Sequence, residues 1–212
     1  MDKETSRVEA FSDGVFAIAI TLLILDIKVP NAVPAGLAAQ LWAQWPSYAA
    51  FLISFAFIGI MWVNHHRMFT QIRHADETLL MLNLLLLLGV CVVPFPTAVV
   101  SKQWISGDRR TAMILYNGTY FAIAIFFNVL WRYCVSRDGR LLGDGASREA
   151  ARKISAQYAI GPVAYLICLV MVFVNVSASF ALNAALAVFW AIPPARIKKL
   201  RHAGAGDRRD MA

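Results

Sequence analysis

The stretch Phe11–Val29, FSDGVFAIAITLLILDIKV, decides the fold class of this 212-residue chain. Apart from Asp13, its charged residues are Asp26 and Lys28 near the end, and the rest is almost entirely apolar. A helix needs about 20 mostly apolar residues to cross the hydrocarbon core of a bilayer. No small-residue cleavage site closes the stretch cleanly, and acidic residues accompany the basic ones before it, so it does not resemble a signal peptide. The stretch therefore predicts a retained first membrane-spanning helix.

Further apolar runs follow along the chain. They are Ser47–Asn64, Leu79–Val100, Ala112–Val135, Ala156–Val174 and Ser177–Ile192. Residues 159–192 are too long for one span, so we expect a hairpin at Asn175–Ser179 between the last two spans. The sequence therefore predicts an all-α integral membrane protein with six transmembrane helices per protomer. We assign residues 1–197 to one transmembrane domain and expect the basic tail, residues 198–212, to be cytoplasmic and disordered.

The composition agrees with this class. Hydrophobic residues make up 59% of the chain and charged residues 16%, and the mean hydropathy is +0.58. Soluble domains are about 45–50% apolar and about 25% charged. An ordinary cytosolic enzyme, a disulfide-rich secreted domain and a disordered chain are therefore excluded.

The distribution of the basic residues predicts the orientation. Only Lys28, Lys102, Arg109 and Arg110, of the 20 lysines and arginines, fall on the side opposite the N-terminus. Such a bias places the richer side in the cytoplasm, so we expect both termini there. The net charge of +7 then reflects topology and contact with membrane lipids, and we expect no nucleic-acid partner.

No catalytic or metal-binding pattern is present in the sequence. Cys91, Cys134 and Cys168 are far apart and have no metal-ligand spacing. His65, His74 and Asp76 would converge on a metal only by accident. The chain has no nucleophile elbow, phosphate-binding loop or dinucleotide fingerprint. We therefore expect no enzyme activity, no cofactor and no fixed metal.

Asp13 is the most notable polar residue within an apolar run. It is either a helix-start carboxylate stabilised by the helix dipole or, with Arg7, part of a structural lock against neighbouring helices. The polar residues available as partners lie between spans two and three. They are Asn64, His65, His66, Arg67, His74 and Asp76.

Helical phase on the first span places several residues on one line. At 100° per residue, the stripe contains Phe11, Gly14, Ile18, Thr21, Leu22 and Leu25, with Arg7 below them. Such a stripe either packs against another helix or lines a path. The chain has no carbonyl filter motif and no ring of mid-span acids. If it conducts ions, selection must come from a narrow hydrophobic constriction with a hydroxyl group.

The motif Arg7-x-x-x-Phe11-Ser12-Asp13-Gly14, followed by Ile18, Thr21 and Leu22, resembles the signature first helix of the transmembrane protein 175 family. This family comprises the endosomal/lysosomal potassium channel and its shorter bacterial and archaeal relatives. Three further landmarks carry the resemblance: Trp62-x-x-His65-His66, Leu82-Asn83, and Pro94-Phe95-Pro96-Thr97. Six spans with one such motif are similar to the bacterial type.

The resemblance implies a potassium-selective or potassium-preferring channel in a prokaryotic cell membrane. It implies a homotetramer whose pore lies on the axis and is lined by the first helices. Ile18 would form the narrow ring, Thr21 the hydroxyl layer, and Leu22 and Leu25 further hydrophobic layers. The lock of the pore helix would contain Arg7, Phe11, Ser12, Asp13, Trp62, His65, His66, His74 and Asp76.

Two other classes of function remain open at this point. The first is a proton-coupled secondary transporter that uses Asp13 with His65 or His66, since intramembrane acids and histidines serve proton relays. Against it, these groups lie near one interface and no inverted repeat is visible. The second is a membrane-embedded enzyme or assembly scaffold, which would need converging catalytic groups.

Overall fold

The structure, a computed structural model, describes residues 3–30, 36–136, 141–142 and 148–191. Over these ranges the chain is all-α, as predicted. The helices are α1 (Lys3–Leu22), α2 (Leu37–Ala43), α3 (Trp45–Phe69), α4 (Glu77–Val92), α5 (Pro94–Ser106), α6 (Arg109–Ser136), α7 (Arg148–Val174) and α8 (Val176–Ala191). A 3-10 turn, Leu23–Asp26, continues α1. The tail predicted to be disordered, residues 198–212, lies outside the described residues.

The helices that are apolar enough for a membrane match the predicted spans in order. Four described segments have the length and hydropathy to cross a bilayer: Glu4–Asp26, Trp45–Phe69, Glu77–Ile105 and Arg109–Ser136. The last two predicted spans correspond to the shorter apolar helices Tyr158–Val174 and Val176–Phe189. The prediction of a multi-pass helical membrane protein is confirmed.

The predicted start of the first span is wrong. Helix α1 begins at Lys3 rather than Phe11, because its first two turns carry charged residues that a search for apolar runs excludes. The third predicted span, Leu79–Val100, lies within the described segment Glu77–Ile105. This segment is divided into α4 and α5 at Val93, where Pro94 cannot donate a backbone hydrogen bond. The short helix α2 was not predicted.

The chain turns back at the predicted hairpin, Asn175–Ser179, but α7 and α8 are separated by Asn175 alone. The Asn175 carboxamide oxygen accepts a hydrogen bond from the backbone N–H of Ala178 at 2.9 Å. This side chain therefore caps α8 at once. Ser179 is already helical, and its hydroxyl donates to the Cys168 carbonyl at 2.7 Å.

Helix α6 is the centre of the bundle, where it packs against α4, α5, α7 and α8. Its approach to α4 is close at Gly89, where an added Cβ would lie 2.8 Å from Ile123 Cγ1. Buried hydroxyl groups join α6 to its neighbours: Tyr116 pairs with Ser54 at 2.9 Å, and Ser54 with Thr97 at 2.8 Å. A glycine and small hydroxyl residues at helix crossings are typical of membrane proteins.

Helix α7 contains Pro162, and a side chain from α6 compensates for it. Because proline has no N–H, the carbonyl of Tyr158 four residues earlier loses its helical partner. The Asn128 carboxamide donates to that carbonyl and also to the Ala124 carbonyl at 3.1 Å. This part of α7 is thus held against α6.

Candidate functional site: the two faces of the first helix

One face of α1 is buried against α3 and α4. The residues of this face are at most 2% exposed, and they are Thr5, Ser12, Phe16, Ala19 and Leu23. From Ser12 to Leu23, in the 3-10 turn, they are spaced by three or four residues, and Thr5 lies two turns before Ser12, so all five share a single helical face. The buried face fixes which side of α1 the protomer leaves open.

The opposite face of α1 is uncovered, and it is the predicted stripe. Phe11 is 58% exposed, Ile18 61%, Leu22 43% and Leu25 61%. The stripe also contains Arg7, Gly14 and Thr21, all of them exposed. Nothing lies within 4 Å of a Cβ built on Gly14. The stripe is therefore not a packing face within the described protomer.

Thr21 is the hydroxyl residue on this face. Its hydroxyl oxygen lies 2.9 Å from the carbonyl oxygens of both Ala17 and Ile18, which share its single proton. A hydroxyl has one proton and two lone pairs, so donation to the helix backbone leaves acceptor capacity on the oxygen. Thr21 therefore offers an oxygen ligand on an otherwise apolar, exposed surface.

Three side chains from α1, α3 and α4 form a buried chain of hydrogen bonds. The Ser12 hydroxyl donates to the Val8 carbonyl at 2.8 Å, so its only proton is used there. Asn83 donates its N–H to the Ser12 oxygen at 3.0 Å. The Asn83 carboxamide oxygen therefore accepts from His65 Nε2 at 2.9 Å. Each donor and acceptor role in this chain follows from the one before it.

His65 is fully buried between aromatic rings. Its ring centroid lies 4.3 Å from that of Phe69 in a stacked arrangement and 5.4 Å from that of Phe16. Because Nε2 donates its proton to Asn83, Nδ1 is the unprotonated nitrogen when the ring is neutral. Nδ1 is buried without a hydrogen-bond partner in the described part of the chain.

Two further polar contacts join α1 to α3 beside this series of hydrogen bonds. Trp62 Nε1 donates to the Asp13 carboxylate at 2.8 Å, and His66 Nδ1 lies 2.6 Å from the Glu9 carboxylate. Asp13, His65 and His66 thus have three different partners. This is not the single proton-coupled site that the transporter alternative requires.

The remaining residues of the predicted lock lie in different surroundings. The Asp76 carboxylate caps α4 by accepting from the Leu79 N–H at 2.8 Å, and it accepts from the Tyr133 hydroxyl at 2.6 Å. His74 lies in the loop between α3 and α4. Its backbone N–H is 3.5 Å from the Leu141 carbonyl. Arg7 and Phe11 belong to the uncovered face. The lock as a functional unit of all nine residues stays a prediction.

Some contacts of α1 were missed from the sequence. Asn83 was noted only as a landmark, although a polar residue inside a run of leucines is a recognisable signal. Glu9 was not considered, and Thr5 lay outside the predicted span. The Thr5 hydroxyl donates to the Arg73 carbonyl at 2.9 Å, and the Arg73 N–H donates to the Leu141 carbonyl at 2.7 Å. Within the described ranges, no three His, Cys, Asp or Glu side chains are grouped closely enough to hold a metal ion.

The part of the chain that contains most of α1 together with α2, α3 and α4 matches a known family. A family profile described as "Endosomal/lysosomal potassium channel TMEM175" matches residues 7–94. A potassium channel of Chamaesiphon minutus is 46% identical over 192 residues, which cover 89% of this chain and 94% of that protein. The chain belongs to the TMEM175 family.

Other TMEM175 relatives support the same assignment. A potassium channel of Streptomyces collinus is 45% identical over 190 residues, which cover 88% of this chain and 91% of that protein. The crystal structure of a lysosomal potassium-selective channel TMEM175 homolog from Chamaesiphon minutus superposes with a TM-score of 0.83 at 44% identity. That match covers 90% of this chain and 97% of the crystallised one. The helical arrangement described above is therefore the TMEM175 fold, and these relatives are channels.

Proposed function

We propose that this chain is the subunit of a potassium-selective or potassium-preferring channel, in which four copies surround a pore lined by α1. The observation that carries the proposal is the uncovered stripe from Arg7 to Leu25. Its opposite face is packed and hydrogen-bonded, so the stripe has a fixed direction. Helices that must hold a narrow pore need this support from behind. The names of the relatives at 45–46% identity agree with the proposal.

Conduction in this proposal is passive. Ile18 forms a ring of four side chains that closes the path by excluding water. Thr21 lies about 4.5 Å further along the helix axis, and Leu25 about 10 Å from Ile18. A potassium ion is less strongly hydrated than sodium, so it gives up part of its shell at lower cost on passing the ring. A small rotation or dilation of the four α1 helices opens the path.

The assembly lies in the cell membrane of a prokaryote with both termini in the cytoplasm. This orientation places Arg7 on the cytoplasmic side and Lys28 on the outer side, in agreement with the distribution of basic residues. The basic loops contact anionic lipid headgroups. The protein is not an enzyme in this proposal, and no nucleic acid takes part. No observation favours the transporter alternative, since its three polar groups are engaged separately.

The role of Ile18 is tested by Ile18→Asn, with Ile24→Asn as the matched control. Ile24 is also exposed, at 49%, but it lies about 120° away around the helix. Reversal potentials are measured in a potassium/sodium bi-ionic gradient across reconstituted membranes. Ile18→Asn should increase the current and reduce the potassium preference, because a polar ring no longer excludes water. Unchanged current and permeability ratio for Ile18→Asn would refute Ile18 as the constriction.

The role of Thr21 has a matched control as well. Thr119 is half-buried and its hydroxyl donates to the Leu115 carbonyl at 2.9 Å, so it makes the same kind of backbone contact on another helix. Thr21→Val should lower the potassium preference, whereas Thr119→Val should leave it unchanged. Equal effects of the two variants would show that the Thr21 hydroxyl has no special role. Native mass spectrometry of the purified protein should find four chains per particle.

A further inference from the structure

Lys28 ends the exposed face of α1 on the outer side. After the 3-10 turn Leu23–Asp26, the chain becomes extended at Ile27. The last carbonyls of a helix lack backbone partners and carry partial negative charge. The Lys28 ammonium donates to the Leu25 carbonyl at 2.7 Å. The side chain therefore folds back onto the end of the helix instead of extending away from it.

This contact fixes where the charge of Lys28 lies. Leu25 is the outermost residue of the exposed stripe at 61% exposure, and the ammonium is hydrogen-bonded to its backbone. Lys28 is itself exposed. Its charge is therefore in solvent at the end of the same face that carries Ile18 and Thr21.

The nearby carboxylate does not cancel this charge. Asp26 is half-buried and lies within electrostatic range of both Lys102, in α5, and Lys28. One carboxylate is thus shared between two ammonium groups. Together, Asp26, Lys28 and Lys102 have a net charge of +1 per protomer. Of the two ammonium groups, that of Lys28 is hydrogen-bonded to the backbone of the α1 stripe.

We propose that Lys28 forms an electrostatic barrier to cations at the outer mouth of the conduction path and limits inward current. The proposal rests on the pore function proposed above, which brings four copies of Lys28 around one axis. Positive charges at a mouth lower the local concentration of cations. They act over about one Debye length, roughly 10 Å at 0.1 M salt and roughly 3 Å at 1 M.

The experiment measures inward single-channel conductance in patches of known sidedness from cells that express the full chain, at 0.1 M and 1 M potassium chloride. We expect Lys28→Met to raise inward conductance about two- to threefold at 0.1 M and hardly at all at 1 M, since salt screens the charge. Lys28→Glu should raise it further, and Lys28→Arg should leave it at the wild-type value. The potassium/sodium permeability ratio should stay constant in all three variants.

Arg110→Met is the matched control, because it removes one exposed positive charge from the same side but from the start of α6. It should leave inward conductance unchanged.

A Lys28→Met channel with wild-type conductance at 0.1 M would overturn the proposal. A change of equal size at both salt concentrations would also overturn it, because it would indicate that Lys28 only caps the helix. If Lys28→Met does not reach the membrane, Lys28→Gln replaces it with the same expectations. If cells that express the wild-type chain show no potassium conductance, the pore function itself is refuted.

Discussion

Replacing Asn83 by leucine tests the buried support of α1. The side chain is 2% exposed and joins Ser12 to His65 through hydrogen bonds of 3.0 and 2.9 Å. Leucine has a similar volume and suits an apolar bundle, so the change removes the polar contacts without opening a large cavity. Asn83→Leu should therefore report on the hydrogen bonds more than on packing.

The expected loss of unfolding free energy follows from the two hydrogen bonds that are removed and from the buried donor that remains without a partner. Hydrogen bonds between side chains in membrane proteins contribute on average about 0.6 kcal/mol each. The His65 Nε2–H then remains buried without a partner, which costs about 1–3 kcal/mol. We expect the free energy of unfolding to fall by about 2–4 kcal/mol. Ser12→Ala should cost about 1–3 kcal/mol, because it leaves the buried Asn83 N–H without its partner while Asn83 still accepts from His65.

The assay is equilibrium unfolding of the purified protein in mild detergent by added SDS, followed by tryptophan fluorescence. The double variant Ser12→Ala/Asn83→Leu should lose less than the sum of the two single variants, because both act on one chain of hydrogen bonds. Thr70→Val is the control, since its exposed hydroxyl donates only to the nearby Arg67 carbonyl at 2.8 Å. A loss below about 0.5 kcal/mol for Asn83→Leu would refute the argument, as would strictly additive effects.

Two further predictions concern the scaffold around the site. Asn128→Leu should lower the free energy of unfolding by about 1–2 kcal/mol, because the Tyr158 carbonyl loses its partner. Adding Pro162→Ala should recover most of this loss by restoring a backbone N–H at position 162; failure to recover would contradict the role given to Asn128. Gly89→Ala should cost about 1–3 kcal/mol because its Cβ would overlap Ile123, whereas Gly118→Ala, with nothing within 4 Å of its Cβ, should be neutral or stabilising. Equal thermal unfolding temperatures for the two glycine variants would contradict this contrast.

The fold class could be predicted from the sequence because the bilayer restricts the possibilities so strongly. Apolar runs of sufficient length must be helices there, so their number and order followed directly. The ends of the helices could not be predicted in the same way. Helix α1 starts inside a charged segment, and α7 is separated from α8 by Asn175 alone, since that residue caps the next helix at once. These boundaries depend on individual hydrogen bonds, which hydropathy does not register.

The candidate site could likewise be predicted only in part. The stripe containing Ile18, Thr21 and Leu25 could be predicted because helical phase is a property of one segment. The supporting contacts could not, because they join residues far apart in the chain, such as Ser12 with Asn83. The identity of the polar residues near α1 was visible in the sequence, but their pairing depends on the packing of α3 and α4. That is why Glu9 was missed and why the Tyr133 partner of Asp76 was not expected.

We propose above that four copies of this chain form a passive potassium pore. Single-channel recording of the purified wild-type protein in planar bilayers, with a potassium gradient across the membrane and sodium balancing the ionic strength, tests it most directly. We predict discrete current steps whose reversal potential lies close to the potassium equilibrium potential. Potassium flux that saturates with concentration and shows no unitary steps would contradict the claim and indicate a carrier.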